Sequence, residues 1–307
     1  MPRITTLTIN PAIDVSWEVD DLVPIRKLRS SSGRIFPGGG GINVSRVIGI
    51  LGGESTAVLT RGGLTGSLLT DLLDDFDINR RVVKIKGQTR LAATVFERSS
   101  GHEFRVTPPG PELTEHEWEA FLDAVAKLNG NYVVCTGSLP RGVPNDFYAR
   151  VAAVAKERGG KVVLDTSGRA LFEALKEGVY VVKPNQRELE HLVGRKAATL
   201  AEQEDVARQI VAEGKAEIVA LTLGADGALL VWKDGVKRLP SPHVEVMSAV
   251  GAGDSFVGGL TFGLAVERSI EDAFALAVAA GAAAVMTPGT ELCRREDVDR
   301  LYAELCG

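Results

Sequence analysis

The stretch of this sequence with the clearest chemical potential is Ser248-Ala-Val-Gly-Ala-Gly-Asp-Ser255. Its Gly-Ala-Gly turn leads to Asp254 and is followed at once by an apolar helical run, so the turn forms the N-terminus of a helix. Free backbone N–H groups at such an end favour an anion, and small residues let the anion approach the main chain. A base beside an anion site can move a phosphoryl group onto a hydroxyl. The alternative is an ordinary helix start, with Asp254 complementing the helix dipole.

A second glycine-rich motif, Pro37-Gly-Gly-Gly-Gly-Ile-Asn-Val-Ser-Arg46, lies near the start of the chain. Its four glycines stand directly before a run whose apolar residues recur at helical spacing, and a flexible linker is seldom followed at once by such a run. Glycine is used where the backbone closely approaches a ligand. The motif therefore predicts a backbone cradle for a polar ligand, with Asn43 facing that ligand.

Asp14 ends the motif Asn10-Pro-Ala-Ile-Asp14, just past the first predicted strand. A short carboxylate at the carboxyl end of a strand suits hydrogen bonding to sugar hydroxyls. Taken alone, the position is better explained as an ordinary turn aspartate.

Three basic residues stand on extended segments: Arg90 and Arg105 on the two arms of a predicted hairpin, and Lys27 on another segment. Facing inward together, they would clamp a dianion, because guanidinium groups match phosphate oxygens in geometry. Periodicity alone favours the alternative, in which they are solvated strand residues that discourage edge pairing.

Two motifs in the second half of the chain could serve a nucleotide. In Val182-Lys-Pro-Asn-Gln-Arg-Glu188, Asn185 reads as a helix N-cap with Glu188 three residues later. This is a capping box, and the same two residues could also lie near magnesium and nucleotide phosphates. Leu221–Leu230 reads as a strand, a glycine turn and a second strand. It is either a plain hairpin or a place where the backbone passes close to a nucleotide.

The elements that must position these residues alternate between strand and helix. Several strands are continuous apolar runs, such as Tyr132-Val-Val-Cys135, which is typical of buried parallel strands. Strands are predicted at 3–10, 55–61, 132–137, 161–166, 179–183 and 217–223, and helices at 41–51, 65–75, 114–128, 145–158, 186–193, 201–213, 251–268, 269–286 and 295–306. The alternation predicts an α/β fold, with a mostly parallel sheet covered by helices on both faces and ligands beyond the carboxyl ends of its strands.

Two segments, at about 15–36 and 88–107, break this alternation. The first has short extended runs, and the second alternates around a turn at Ser99-Ser-Gly-His102, which is a hairpin signature. We expect their strands to form a small β-sheet lid that projects from a single domain spanning 1–307, with the remainder as the main α/β domain. The exposed faces and edges of the lid predict a homodimer.

Composition narrows the class of protein. The 307 residues are 45% hydrophobic and 24% charged with a net charge of −5, which argues against nucleic-acid binding. The three cysteines and four histidines show no metal spacing, and the sparse cysteines suggest a reducing compartment. The first nine residues read as a strand rather than a signal peptide, and the longest apolar region, Ala273–Met286, is too short to span a bilayer. A cytoplasmic protein without a membrane or nucleic-acid partner is expected.

Taken together, the motifs resemble the two signatures of the ribokinase-like, PfkB-type carbohydrate kinases. These are Gly-Gly-Gly-Gly-Ile-Asn at 38–43 and Val-Gly-Ala-Gly-Asp at 250–254, with Lys-Pro-Asn-x-x-Glu between them at 183–188. The likeness spans essentially the whole chain. It implies a Rossmann-type sandwich with a lid, ATP and Mg²⁺ as cofactors, and phosphoryl transfer to a sugar hydroxyl.

The resemblance also implies a role for each candidate residue. Asp254 accepts the proton of the sugar's C1 hydroxyl, while N–H groups for the transferring phosphoryl come from Gly251, Ala252 and Gly253. Sugar hydroxyls are held by Asp14, Gly39 and Asn43, with Ser138 nearby. The sugar phosphate is held by Arg90, Arg105 and Lys27. The nucleotide is lined by Lys183, Asn185, Thr222, Gly224 and Gly227. Magnesium is ordered through water by Glu188.

Within the family, the chain is similar to the phosphofructokinase branch, on the basis of Asn10–Asp14, Thr136-Gly-Ser-Leu-Pro140 and the Arg90/Arg105 pair. The all-glycine run at 38–41 resembles the minor bacterial 6-phosphofructokinases, whereas 1-phosphofructokinases and tagatose-6-phosphate kinases typically have Gly-Gly-Lys-Gly. Fructose 6-phosphate is the expected acceptor and fructose 1,6-bisphosphate the expected product. The alternatives are those two other kinases, a nucleoside kinase, and a non-catalytic sugar-phosphate sensor.

Two departures concern a monovalent cation. Many relatives have Asp-Thr or Ser-Thr before Gly-Ala-Gly-Asp, where this chain has Ser248-Ala-Val. That loop and the segment around Thr287–Gly289 can form a K⁺ site in ribokinase-like folds. Glu291 stands where the minor 6-phosphofructokinases have a basic residue. The resemblance therefore leaves K⁺ activation open.

Overall fold

The computed structural model describes residues 3–307. In chain order, its strands are β1 (Ile4–Thr8), β2 (Ala12–Val19), β3 (Ser32–Gly38), β4 (Ser55–Arg61), β5 (Asn79–Lys84), β6 (Arg90–Glu97), β7 (His102–Val106), β8 (Tyr132–Thr136), β9 (Lys161–Asp165), β10 (Val179–Val182), β11 (Ala216–Thr222), β12 (Ala228–Trp232) and β13 (Gly235–Leu239). Its helices are α1 (Gly40–Ile50), α2 (Gly63–Leu73), α3 (Glu115–Ala126), α4 (Phe147–Lys156), α5 (Gly168–Glu177), α6 (Gln186–Val193), α7 (Leu200–Ala212), α8 (Ala252–Ala265), α9 (Ile270–Val285) and α10 (Arg295–Cys306).

The large sheet has the strand order β13-β12-β11-β10-β9-β8-β1-β4-β5. Neighbours from β5 through to β11 are parallel, and β12 and β13 add an antiparallel edge. The chain runs outward from β1 through β4 to β5, then returns to β8 on the other side of β1. Parallel sheets bind ligands at such a reversal, beyond the carboxyl ends of the strands. That edge, between β1 and β8, is where the site is expected.

Alternating side chains divide the core between the two faces of this sheet. In β8, Val133 and Cys135 belong to one apolar cluster together with Phe147 of α4. Val134 belongs to another, together with Val257 of α8. Each strand is therefore buried on both sides, which explains the continuous apolar runs in the sequence. The predicted α/β class is confirmed: a mostly parallel sheet lies between two layers of helices.

The small sheet has the order β3-β2-β6-β7. Strand β2 pairs antiparallel with β3 and parallel with β6, and β6 and β7 form the predicted hairpin. These strands overlap the two segments that broke the alternation, although β2 begins at Ala12 rather than at 15. We call them the lid sheet. Its closing over a ligand, and the treatment of the chain as one domain, stay predictions.

Three elements of the described chain were not predicted: helix α5 and strands β5 and β13. Helix α5 fills the short interval between β9 and β10, and its buried Ala170, Leu171, Ala174 and Leu175 do form a helical stripe. Strand β5 is the edge of the large sheet, and its sequence, Asn79-Arg-Arg-Val-Val-Lys84, carries the charges that protect an edge. Such a strand is hard to distinguish from a loop in sequence.

The predicted first strand at 3–10 corresponds to β1, and residues 1 and 2 of the N-terminal segment lie outside the described residues. Between residues 3 and 307, no helix combines the length and the apolar character needed to cross a bilayer.

Candidate active site

The N-terminus of α8 opens at the carboxyl edge of the sheet. Its N-cap, Gly251, has φ 76° and ψ −4°, a left-handed conformation that costs glycine little. The Gly251 carbonyl accepts the first helical hydrogen bond, from the Ser255 N–H at 2.8 Å. The N–H groups of Ala252, Gly253 and Asp254 precede that bond, so they have no partner within the helix. The turn can therefore bind an anion.

Asp254 lies in the first turn of α8 and is held from α1. Asn43 Nδ2 donates to Asp254 Oδ2 at 2.8 Å. Burial raises the pKa of Asp254 to about 6; the Asn43 hydrogen bond opposes that rise, and the nearby Asp165 carboxylate adds to it. A carboxyl group with a pKa close to neutrality suits a general base.

The backbone of Gly40 passes between the side chains of Thr136 and Asp254. A Cβ at this position would lie 1.7 Å from Thr136 Oγ1 and 3.2 Å from Asp254 Oδ1, so only glycine fits without a shift. Thr136 ends β8, and its hydroxyl is buried with no hydrogen-bond partner in the described chain. The glycine run thus brings α1, β8 and α8 into contact at one point.

Asp14 reaches the same edge from the lid sheet. In the β2–β6 register, Ala12 faces Arg90 and Asp14 faces Ala92, which puts Asp14 and Arg90 on one face of the sheet. Burial raises the pKa of Asp14 to about 6, and the Arg90 guanidinium opposes that rise. Arg90 is fixed by two carbonyls, those of Pro108 at 2.8 Å and Asn10 at 3.0 Å.

Arg105 and Lys27 occupy different surroundings. Arg105 pairs with Thr94, itself opposite Ser16, so its position is on the same lid face as Asp14. Its guanidinium is ion-paired with Glu103, and Glu103 also accepts a hydrogen bond from Ser248 Oγ at 2.8 Å. Lys27 lies in the exposed loop between β2 and β3. Among residues 3–307, the structure shows no hydrogen bond or ion pair that would bring its ammonium to this site.

Gly39 stands at the start of α1, and Ser138 lies just beyond the end of β8. Gly39 is the N-cap of α1, and its carbonyl accepts from the Asn43 N–H at 2.9 Å. Ser138 follows β8 and accepts a hydrogen bond from Asn10 Nδ2 at 3.3 Å. Asn10 Oδ1 is buried without a partner among the described residues, so this corner retains an unused acceptor.

Lys183 and Asp165 form a buried ion pair on the other side of α8's N-terminus. Lys183 Nζ lies 3.0 Å from Asp165 Oδ1 and 3.7 Å from where a Cβ on Gly253 would be. Burial lowers the pKa of Lys183, but the carboxylates of Asp165, Glu188 and Asp254 together outweigh that effect and the pKa is raised. The ammonium therefore stays charged next to the anion-binding turn.

Asn185 and Glu188 form the predicted capping box at the start of α6. The Asn185 side chain accepts from the Glu188 N–H at 2.9 Å, and Glu188 Oε2 accepts from the Asn185 N–H at 2.8 Å. Burial raises the pKa of Glu188, against the opposing effects of the Asn185 hydrogen bond and Lys183. One oxygen of Glu188, Oε1, is left for a further ligand.

The turn after β11 continues the same edge. Thr222 is bridged to Asn185, and its N–H donates to the Pro184 carbonyl at 3.0 Å. A short 3₁₀ turn, Gly224–Asp226, leads to Gly227, whose carbonyl accepts from the Leu223 N–H at 2.9 Å. Gly227 also lies against the backbone at Leu239, where a Cβ would be 2.1 Å from the carbonyl oxygen. The turn therefore presents bare backbone beside Asn185.

The structure thus brings most of the predicted residues to one edge of the large sheet. Hydrogen bonds, pairing or near contact connect Asp254, Asn43, Gly39, Asp14 and Arg90 on one side, and Lys183, Asn185, Glu188 and Thr222 on the other. Sequence reasoning missed three residues: Asp165, Arg46, and Thr136, which it named only as the first residue of the motif at 136–140. Asp165 and Thr136 end strands, which is a usable signal. Arg46 ends the recognised glycine-rich motif, but the motif gives no local sign that it is buried.

The sequence was compared with models of protein families and with individual known proteins. The model of the pfkB family of carbohydrate kinases matches residues 8–297. An ATP-dependent 6-phosphofructokinase isozyme 2 from Mycobacterium tuberculosis is 43% identical over 98% of this chain and 89% of its own length. The protein of the same name from Escherichia coli is 39% identical over 99% of both chains. A 1-phosphofructokinase from Bacillus subtilis is 33% identical over 98% of both.

Solved structures agree with this grouping. Phosphofructokinase-2 from Escherichia coli in complex with fructose 6-phosphate has a TM-score of 0.95, with 38% identity and complete coverage of both chains. A ribokinase from Arabidopsis thaliana, with 22% identity and a TM-score of 0.76 over 98% of both chains, is similar in fold alone.

Proposed function

The chain belongs to the pfkB family of carbohydrate kinases, and we propose that its site transfers the γ-phosphoryl group of MgATP to the C1 hydroxyl of fructose 6-phosphate. The product is fructose 1,6-bisphosphate. The enzyme is a phosphotransferase with an alcohol acceptor, and its class is that of the ATP-dependent 6-phosphofructokinases. Its sandwich is ribokinase-like.

One observation carries the reaction type: a buried carboxylate next to a helix N-terminus. Asp254 is oriented by Asn43 at 2.8 Å, and the N–H groups of Gly251, Ala252 and Gly253 lie at the N-cap and first turn of α8. In this arrangement, Asp254 takes the proton of the C1 hydroxyl while the amides stabilise the charge on the transferring phosphoryl. Because phosphoryl transfer requires little covalent work from a protein, positioning and charge stabilisation supply most of the rate.

The acceptor sugar is proposed to lie between the lid sheet and α1. Asp14, Gly39, Asn43 and Ser138 offer polar atoms there for its hydroxyls. Arg90 is proposed to bind the 6-phosphate, and Arg105 joins it when the phosphate draws the guanidinium away from Glu103. Lys27 completes this clamp only if its exposed loop moves toward the sugar. Lid closure would then exclude water from the transferring group.

The nucleotide is proposed to lie across the carboxyl ends of β10 and β11. Its phosphates face the charged Lys183, and its remaining contacts are with Asn185, Thr222, Gly224 and Gly227. Among the described residues, no group of three or more His, Cys, Asp or Glu could hold a metal ion alone. A single carboxylate such as Glu188 fits Mg²⁺, which keeps several waters and binds phosphate oxygens. When bound, Mg²⁺ neutralises charge on the nucleotide phosphates.

A monovalent cation is a further proposal. The Escherichia coli enzyme has been crystallised in complex with potassium. Here, the Met247 and Ser248 N–H groups donate to the Val285 carbonyl, so the loop before α8 lies against the end of α9, just before the segment around Thr287–Gly289. We propose that these two segments bind K⁺ near the anion-binding turn.

The proposed assembly is a homodimer through the lid sheet. Trp17, Ile35, Leu91, Phe104 and Val106 share the face opposite Asp14, by the strand register, and each is exposed. Ile35 is 48% and Val106 66% exposed. An apolar face of this kind calls for a partner surface.

Because ATP and phosphosugars are cytoplasmic metabolites, we also propose the cytoplasm as the place of action.

Fructose 6-phosphate is favoured over fructose 1-phosphate because the two 6-phosphofructokinases are 43% and 39% identical to this chain, whereas the Bacillus subtilis 1-phosphofructokinase is 33% identical. The test measures ADP release from MgATP with fructose 6-phosphate, fructose 1-phosphate and tagatose 6-phosphate in parallel. We expect kcat/KM to favour fructose 6-phosphate at least tenfold, about 1.4 kcal/mol of transition-state discrimination. A preference for another sugar would change the substrate, and no turnover would favour a sensor.

A further inference from the structure

Arg46 is a buried cation that the reaction described above does not use. It lies on α1, three residues after Asn43, and is 5% exposed. Its guanidinium carbon lies 5.3 Å from the ring centroid of Phe36, on lid strand β3, and 4.6 Å from that of Phe76, in the turn after α2. A buried charge is costly unless it is compensated, so its surroundings should show what it serves.

The ionisable groups that act on Arg46 belong to three other parts of the chain. Burial lowers its pKa to about 10, and Asp14 on β2, Cys293 before α10 and Asp254 on α8 oppose that effect, so the group stays charged at neutral pH. Arg90 on β6 is the other cation that acts on Asp14. Arg46 thus supplies positive charge between the two carboxylates with raised pKa values.

Hydrogen bonds connect Arg46 to the proposed base through Asn43. Arg46 Nη1 lies 3.4 Å from Asn43 Oδ1, a long contact, and Asn43 Nδ2 donates to Asp254 at 2.8 Å. A flipped Asn43 amide would turn its NH₂ group toward the guanidinium and its oxygen toward the Asp254 carboxylate, and both contacts are repulsive. Arg46 Nε is buried with no partner among the described residues, so the guanidinium also retains a free donor.

We propose that Arg46 is a positioning residue for phosphoryl transfer: it fixes the amide of Asn43, and through it the carboxylate of Asp254, and it balances the charge of Asp14 and Asp254. The inference rests on the proposed function. It deepens that function by connecting the lid sheet, through Phe36 and Asp14, to the residue that receives the proton.

A double-mutant cycle with Arg46→Met and Asn43→Ala tests the connection. We expect Arg46→Met to lower kcat with fructose 6-phosphate by ~10- to 100-fold while the Kd for MgATP stays within about threefold. In the Asn43→Ala background, the same substitution should lower kcat by less than about threefold, because the two residues act through one contact. Equal effects in both backgrounds would overturn the inference, since they would show a structural role independent of Asn43.

Two further variants separate positioning from folding. Arg46→Lys keeps the charge and should recover at least about a third of the wild-type kcat. The loss of kcat/KM at low pH, its acid limb, should stay at the same pH. Arg46→Met should move the acid limb of kcat/KM to higher pH, because removing a cation beside Asp14 and Asp254 raises their pKa values. Arg80→Met removes a partly buried arginine from β5, away from the site, and should leave kcat and the pH profile unchanged.

The outcomes also distinguish this inference from the proposed function. An active wild type with additive effects, an unmoved acid limb in Arg46→Met, or no recovery in a folded Arg46→Lys would overturn the role of Arg46 alone. A wild type that turns over none of the phosphosugars would overturn the proposed function, and this inference with it.

Discussion

Asp254 and Asp14 are two buried carboxyl groups whose pKa is raised to about 6 by the same cause, desolvation. Their partners differ: Asp254 accepts a hydrogen bond from a neutral amide, whereas Asp14 faces the guanidinium groups of Arg90 and Arg46. One is therefore suited to accept a proton and the other to hold a polar ligand. Residue type alone would not separate these roles.

The first prediction concerns pH. A base must be ionised to accept a proton, so activity should be lost as pH falls through the raised pKa of Asp254. We expect an acid limb in kcat/KM centred near pH 6, measured with fructose 6-phosphate across pH 5 to 9 in buffers of constant ionic strength. Asp14→Asn should lower kcat/KM and move this limb to slightly lower pH, because the Asp14 carboxylate contributes to the raised pKa of Asp254. A limb centred below about pH 5 would contradict the assignment to Asp254.

The second prediction removes the base. Asp254→Ala should lower kcat by ~10²-fold or more while the Kd for MgATP stays largely unchanged, because the carboxylate acts on the acceptor hydroxyl. Steady-state kinetics and nucleotide titration measure the two effects. The matched control is Asp234→Ala, in the exposed turn between β12 and β13. Near-normal turnover in Asp254→Ala would remove the residue from the chemistry.

At the level of elements, the site depends on how closely α1 approaches β8 and α8. Gly40→Ala would place a methyl group against Thr136 Oγ1 and near Asp254, so we expect kcat/KM to fall by ~10-fold or more. Gly49 lies in the same helix with nothing within 4 Å of an added Cβ. Gly49→Ala should keep full activity and raise the free energy of unfolding by about 0.5–1 kcal/mol, measured by urea denaturation. Unchanged activity in Gly40→Ala would show that this close approach is dispensable.

The lid sheet carries the next prediction. Arg105→Ala should raise the KM for fructose 6-phosphate by ~10-fold, with kcat within about threefold, because the guanidinium binds the phosphate away from the reacting hydroxyl. Arg98→Ala removes an arginine that pairs with Glu18 and Asp20 in the same sheet, and should leave that KM unchanged. An equal KM for fructose 6-phosphate in both variants would show that Arg105 pairs with Glu103 and does not bind the sugar phosphate.

At the scale of the whole molecule, the lid sheet has two different faces. One carries Asp14, Arg90 and Arg105 toward the site, and the other carries exposed apolar side chains. Body and lid are also joined by ion pairing of Arg34 with Glu291. In the proposed dimer, assembly and catalysis would use opposite sides of the same four strands.

The last prediction tests the assembly. Sedimentation of the wild type should give a mass near twice that of the chain, and Ile35→Glu should shift it toward one chain, because a charge would be buried in the apolar interface. Leu64→Glu alters an even more exposed apolar residue, on α2 and outside the lid sheet, and should leave the mass unchanged. A wild-type monomer would exclude the dimer, and an unaffected Ile35→Glu dimer would place the interface elsewhere.

The order and type of the main elements were readable from the sequence. Buried parallel strands give apolar runs, helices give a 3.6-residue period, and a glycine turn before a helix marks an anion site, so each signal is local. The same locality identified the capping box of Asn185 and Glu188, which the hydrogen bonds confirm as a structural feature. The edge strand β5 was missed because its charged side chains hide the local pattern.

What only the tertiary structure decided is which distant residues meet. The contacts between Asn43 and Asp254, between Asp165 and Lys183, and between Arg46 and the rings of Phe36 and Phe76 join residues on different elements. The structure also shows Arg105 engaged by Glu103 and Lys27 exposed, neither of which follows from their basic character. Sequence patterns report the conformation of neighbours along the chain, whereas burial, pairing and the resulting pKa shifts depend on the packing of elements that are far apart in it.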